Sequence, residues 1–242
     1  YLQPALSDAR AFQALKPLGL QDSLGEQLRC LEIILREREA HTPVIQTIFS
    51  PLAQAKNLAG KAHLVNLLRA YPQEMLDGLE TITETTLRFI TQCLRLGVDG
   101  IFFAEQHAQP EILTTDEFDG FARPFAYRLL ESARGTWLNL LHIHGDQIAF
   151  DRVLDYPNIQ VLNWHDRKTP PTLAQGSALS GKLVCGGLRQ WETMACGDPG
   201  QVSAESEDAM AEMTGKPFIL GTGCVMPIIT PASNIRAARS VV

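Results

Sequence analysis

The residues of this 242-residue chain that could do chemistry gather at a few points, and the densest is Leu138-Asn139-Leu140-Leu141-His142-Ile143-His144-Gly145. Side chains alternate along an extended strand, so Leu138, Leu140, His142 and His144 share one face and the two imidazoles stand one above the other at its end. Two borderline nitrogen ligands from one rigid strand are a good start on a zinc site, which needs at least a third ligand from elsewhere. Cys224, in Leu220-Gly221-Thr222-Gly223-Cys224, offers a thiolate where flanking glycines let the chain turn. The expected metal ligands are therefore His142, His144 and Cys224, with a fourth position open to water or substrate. The competing reading makes the two histidines polar strand-end residues bonded to neighbours and Cys224 a buried small hydrophobe.

Further candidates end other apolar runs. Glu105, in Phe102-Phe103-Ala104-Glu105-Gln106-His107, is expected to act as a general acid/base or as an extra ligand if burial raises its pKa. His165 and Asp166 are further catalytic candidates, and with Arg167 they would orient a substrate carboxylate or support the metal ligands; a loop-stiffening ion pair is the alternative. Gln46, Arg167, Gly187 and Arg189 are the expected substrate contacts, Gly186-Gly187 because a paired glycine lets backbone approach a ligand or merely begins a tight turn. Ser50, in Phe49-Ser50-Pro51-Leu52, lacks the GxSxG setting of a nucleophile and reads as a helix N-cap.

Positioning these groups falls to a repeated pattern of apolar, β-branched run, polar turn and helix-period stretch. The runs cover 43–49, 98–104, 137–142, 159–164, 182–186 and 217–221, and helical stretches cover 23–38, 73–96, 115–132, 202–213 and 233–241. Near-continuously apolar strands suit a parallel sheet covered on both faces. No GxGxxG follows any strand, while polar and titratable residues collect at many strand ends, as at the mouth of a (β/α)8 TIM barrel. Six strands do not close eight, so the expectation is a single barrel domain over 1–242 that lacks its N-terminal segment and first strand.

Composition sets the outer limits. The chain is 45% hydrophobic and 20% charged, and its net charge of −6 with no dense Lys/Arg run excludes phosphate-neutralising nucleic-acid binding as a main role. No apolar run approaches the ~18 residues of a membrane span. The opening Tyr1-Leu2-Gln3-Pro4 has neither a Met nor a secretory layout, so it reads as a cut. Five scattered cysteines without a CxxC point to a reduced, cytoplasmic compartment, Cys30 and Cys93 being expected in the core. Exposed helices such as 73–96 leave a homodimer open.

Taken in order, the stretches 44–51 (VIQTIFSP), 97–110 (GVDGIFFAEQHAQP), 141–146 (LHIHGD), 159–166, Gly186-Gly187 and 220–234 (LGTGCVMPIITPASN) are similar to the uroporphyrinogen decarboxylase superfamily. That superfamily joins a decarboxylase of haem synthesis to zinc-dependent, corrinoid-linked methyltransferases on one (β/α)8 barrel. The chain resembles the methyltransferase branch more, whose motif is His-x-Cys with a distal Cys: His142 matches the His, His144 stands in place of the first Cys, and Cys224 matches the distal one. Gly221-Thr222-Gly223 stands where the decarboxylase branch has Gly-His-Gly. The resemblance implies zinc held by His142, His144 and Cys224, a small-molecule thiol held as thiolate, and a methyl group supplied by a methylcorrinoid on a partner protein. The alternatives it leaves are the tetrapyrrole decarboxylase, for which only Arg167 and Arg189 offer carboxylate receptors, and a non-catalytic relative that binds a small ligand.

Overall fold

The computed structural model describes residues 4–242, so Tyr1, Leu2 and Gln3 of the opening lie outside the described residues. All six apolar runs become strands: β1 (Ile45–Phe49), β2 (Gly100–Glu105), β3 (Leu140–Ile143), β4 (Val161–Trp164), β5 (Leu183–Leu188) and β6 (Ile219–Thr222). They form one parallel sheet in the order β1-β2-β3-β4-β5-β6, each strand paired with its sequence neighbour. Sequential parallel pairing is the winding of a (β/α) barrel, and the described residues supply six of its strands with β1 and β6 as edges. Accordingly the inward-facing Phe49 and Ile219 are each 39% exposed.

Helices fill the crossovers. α1 (Ala9–Gln13) and α2 (Ser23–Glu37) precede β1; α3 (Pro51–Ala59), α4 (Lys61–Ala70) and α5 (Pro72–Leu96) link β1 to β2. α6 (Thr115–Phe121) and α7 (Arg123–Ser132) link β2 to β3, α8 (Leu173–Ser180) links β4 to β5, α9 (Pro199–Glu212) precedes β6, and α10 (Ala232–Arg239) follows it. The single helix expected over 115–132 is two, because Pro124 in the first turn of α7 has no N–H to continue the ladder from α6. α3, announced only by the N-cap reading of Ser50, and α4, which was not expected, are short and separated by Gly60 at φ +82°.

The core lies between the outer face of the sheet and these helices. Ile48, Ile101, Phe103, Leu141, Ile143, Leu162 and Trp164 face Leu52, Leu79, Ile90, Phe118 and Leu129, all buried. Each such side chain removed from water contributes ~1.5–3 kcal/mol, so this layer holds the sheet rigid beneath the site. Of the cysteines, Cys93 lies in this core as expected, whereas Cys30 is exposed because it falls on the solvent side of α2.

The third strand starts later than the apolar run 137–142 suggested. Asn139 explains why: its side chain takes over ladder duty, accepting from Ile101 N (3.0 Å) and donating to Asn158 O (2.8 Å), so regular pairing begins only at Leu140. The fully buried amide ties β2, β3 and the approach to β4 together at one end, opposite the polar end. β5 likewise runs on to Leu188 and absorbs Gly186-Gly187, which is strand and not turn. No helix among the described residues is long and apolar enough to cross a membrane.

Candidate metal centre

Register decides which side chains meet. Phe49, Ala104, His142, Asn163, Cys185 and Ile219 are level across the six strands, and paired residues of parallel strands share a face, here the inner one. One step further along the same face come His144 after β3 and His165 after β4. Cys224, two residues past β6, closes the group: ligand atoms of His142, His144, His165 and Cys224 all lie within 4.8 Å of one another.

Three of the four are tight. His142 Nε2 is 3.4 Å from His144 Nδ1, and Cys224 Sγ is 3.6 Å from each of these nitrogens. Bonds of about 2.05 Å to nitrogen and 2.3 Å to sulfur at tetrahedral angles would put ligand atoms about 3.4 Å (N to N) and about 3.6 Å (N to S) apart, so the triangle has the dimensions a zinc ion imposes. His165 is the looser member, and its Nε2 is buried with no hydrogen-bond partner, an orphan that a metal would satisfy. Donor chemistry agrees: three imidazoles and one thiol suit zinc.

The surroundings prepare these donors. Burial pushes His142 down to about 4 and also lowers His144 and His165, so all three rings are neutral near pH 7 with a lone pair to give. Asn163 fixes which nitrogen of His142 that is. Its Oδ1 accepts from Nδ1 at 2.6 Å, while its amide donates to Cys185 O (2.8 Å) and Thr222 O (3.0 Å), a pairing that leaves the amide one orientation. The lone pair is thereby forced onto Nε2, toward Cys224. Phe102 stacks against the other side of the ring, with centroids 5.5 Å apart. Burial raises the Cys224 thiol, whose proton a metal would displace. Gly223 permits the close approach: a Cβ there would meet His165 Cα and Trp164 O at 2.9 Å.

The remaining expectations fall elsewhere. Glu105 shares a face with Ile101 and Phe103, so it points into the helical layer, away from the histidines. Its fully buried carboxyl accepts from His107 N (3.0 Å), Ser50 Oγ (3.4 Å) and Tyr156 Oη (3.4 Å), and burial raises it to about 7. Ser50 is the N-cap of α3, as expected. Gln46 is on that outer face too and donates to Thr47 O. Asp166, raised to about 6 by burial, accepts from Gly187 N at 3.1 Å. Gly187 (φ +104°) approaches not a ligand but α9, where a Cβ would sit 2.6 Å from Ala209 Cβ. Arg167 pairs with Asp208 and donates to Gly187 O, and Arg189 pairs with Glu205, both acids standing on α9.

A cavity of about 880 Å³ opens beside the cluster, with His144 and His165 in its wall. Fold and site together define a (β/α)-barrel protein with a His3Cys constellation that could hold a metal ion at the carboxyl ends of its strands. The model of the family described as Uroporphyrinogen decarboxylase (URO-D) matches residues 1–242, and the chain belongs to that family. Among solved structures, it is similar to a methyltransferase from Methanosarcina mazei (TM-score 0.82, 19% identity, 99% of this chain and 69% of that one). It is also similar to a B12-independent methionine synthase from Shewanella sp. W3-18-1 in complex with selenomethionine (TM-score 0.62, 15% identity, 88% of this chain). The chain spans 64% of that synthase's length. At such identities these likenesses establish the shared fold. No curated protein matches the sequence.

Proposed function

We propose that the protein is a zinc-dependent methyltransferase that passes a methyl group from a methylcorrinoid, carried by a partner protein, to the sulfur of a small-molecule thiol. The observation that carries this reading is the His142–His144–Cys224 triangle, whose edges suit zinc, with His165 beside it. Zinc bound there would supply Lewis acidity that favours a thiolate over the thiol near neutral pH, and a thiolate is the better nucleophile.

The chain's own residues do the rest. Asn163 holds His142 in the donor tautomer, Thr222 Oγ1 donates to Cys224 O at 2.6 Å and steadies the turn, and Phe102 keeps one side of the cluster dry. His144 and His165 face the cavity and so stand where an acceptor would enter. His165, the loosest of the four, would be the zinc ligand most readily replaced by an acceptor sulfur. The fold of the M. mazei methyltransferase supports this reading by analogy. The tetrapyrrole decarboxylase reading has less support, because Arg167 and Arg189 are committed to Asp208 and Glu205.

The direct test supplies methylcobalamin and a panel of thiols to the zinc-loaded protein and follows methylthioether formation. Turnover that vanishes in Cys224→Ala is the expected result; turnover indifferent to that change would refute the proposal.

A further inference from the structure

The 880 Å³ cavity is much larger than a two-carbon thiol and falls in the range of drug-sized ligands. Its wall carries a second chemistry besides the histidines. Lys56 in the last turn of α3 and Lys61 at the first position of α4 both line it, brought round to the same side by the Gly60 turn. Of the other charges of this wall, Arg69 pairs with Glu117 and Asp146 with Lys168. Among the described residues neither lysine pairs with a carboxylate. Lys56 donates to Gln106 Oε1, and exposed Glu111 at the rim is the single unmatched acid of the lining.

Helix stability does not explain this arrangement. A cation at the N-terminus of a helix opposes its dipole, and α4 starts with Lys61, has no acidic residue in its first turn and no side-chain cap. The uncapped N–H groups of that turn add positive potential to the two ammoniums. Independently, His107 in the same wall is only 2% exposed, and its Nδ1 is buried without a hydrogen-bond partner, the Glu105 carboxyl being 4.0 Å away. An unsatisfied buried nitrogen beside two unpaired cations is costly unless a ligand completes it. Leu64, Val65 and Ile112 add apolar surface to the same wall.

We propose that Lys56, Lys61 and His107 form a second subsite that binds the anionic end of an amphiphilic substrate, an organic acid whose apolar stem meets Leu64, Val65 and Ile112 and whose sulfur reaches His144 and His165 in the same cavity. The proposal rests on the thiol reading above for the sulfur end only. Burial, and after it repulsion from Lys61, lower Lys56, and an anion between the two ammoniums would relieve both.

Isothermal titration of the zinc-loaded chain with mercaptohexanoate, its neutral isostere mercaptohexanol, and thiol-free hexanoate tests it. Mercaptohexanoate is expected to bind about tenfold more tightly than mercaptohexanol, the scale of a charge-assisted contact, with the advantage shrinking as salt rises. Lys56→Met with Lys61→Met should abolish the preference, and Lys56→Arg with Lys61→Arg should keep it. Equal affinity for acid and alcohol, already in the wild type, would overturn the proposal whether or not the Met pair folds. So would a preference that survives the Met pair. Metal-free protein separates the two readings: hexanoate binding that persists there and needs the lysines upholds the anion subsite even if no thiol is ever bound.

Discussion

Asn163 and His142 face each other across β3 and β4 at 2.6 Å, and the same amide reaches Thr222 O, two residues before Cys224. One side chain therefore sets both the tautomer of the first histidine and the distance from its strand to the cysteine's. Second partners of this kind typically govern metal affinity by about 10- to 100-fold. Asn163→Leu should weaken zinc binding by that order in a chelator competition, while Asn163→Asp, which keeps the acceptor, should lose far less. Equal affinity in all three proteins would show that His142 needs no such support.

Two glycines should separate site from scaffold. Gly223→Ala puts a methyl 2.9 Å from the backbone of Trp164 and His165, pushing Cys224 off the cluster, so zinc content should fall. Gly187→Ala instead forces a strained φ and a 2.6 Å clash with Ala209, which should cost about 1–3 kcal/mol of stability with zinc retained. Metal analysis and denaturant unfolding of both variants check the pair; matching effects on zinc would contradict the assignment.

Glu105 makes a pH prediction. Its folded pKa is raised from 4.5 to about 7, so the folded state binds the extra proton, and its contribution to stability, full below pH 4.5, is lost as pH rises through about 7. His142, lowered to about 4, works in the opposite direction between about 4 and 6.5. The difference between wild type and Glu105→Gln isolates the carboxyl: relative to the variant, the wild type should weaken across this window by an amount set by ~1.4 kcal/mol per pKa unit. A flat difference in melting temperature from pH 5 to 8 would remove the buried acid from the account.

Much of this was legible before any coordinates, and the misses have physical causes. Alternation in 138–145 places His142 and His144 on one face, and the run-and-helix rhythm brings Cys224 to the same end. Applied to Phe103-Ala104-Glu105, the same alternation sends Glu105 outward with Phe103; proximity to a strand end alone gave it a role at the mouth. Asn163 and His165 repeat the i, i+2 spacing of His142 and His144 on the adjacent strand, a signal that identifies both once strands are laid side by side. The pairing of Arg167 with Asp208 and of Arg189 with Glu205 was not legible, because both acids lie on α9, well along the chain from their partners. Lys56 and Lys61 stand on two short helices, of nine and ten residues, each too brief for its apolar period to stand out in the sequence.

Zinc stoichiometry, measured by mass spectrometry on the purified protein and on His142→Ala, His144→Ala, His165→Ala and Cys224→Ala, tests the central claim most directly. The account predicts about one zinc per chain in the wild type, loss of it in the His142, His144 and Cys224 variants, and weaker but detectable binding without His165. A wild type that stays metal-free after equilibration with zinc, or variants that all hold it as well as the parent, would contradict it.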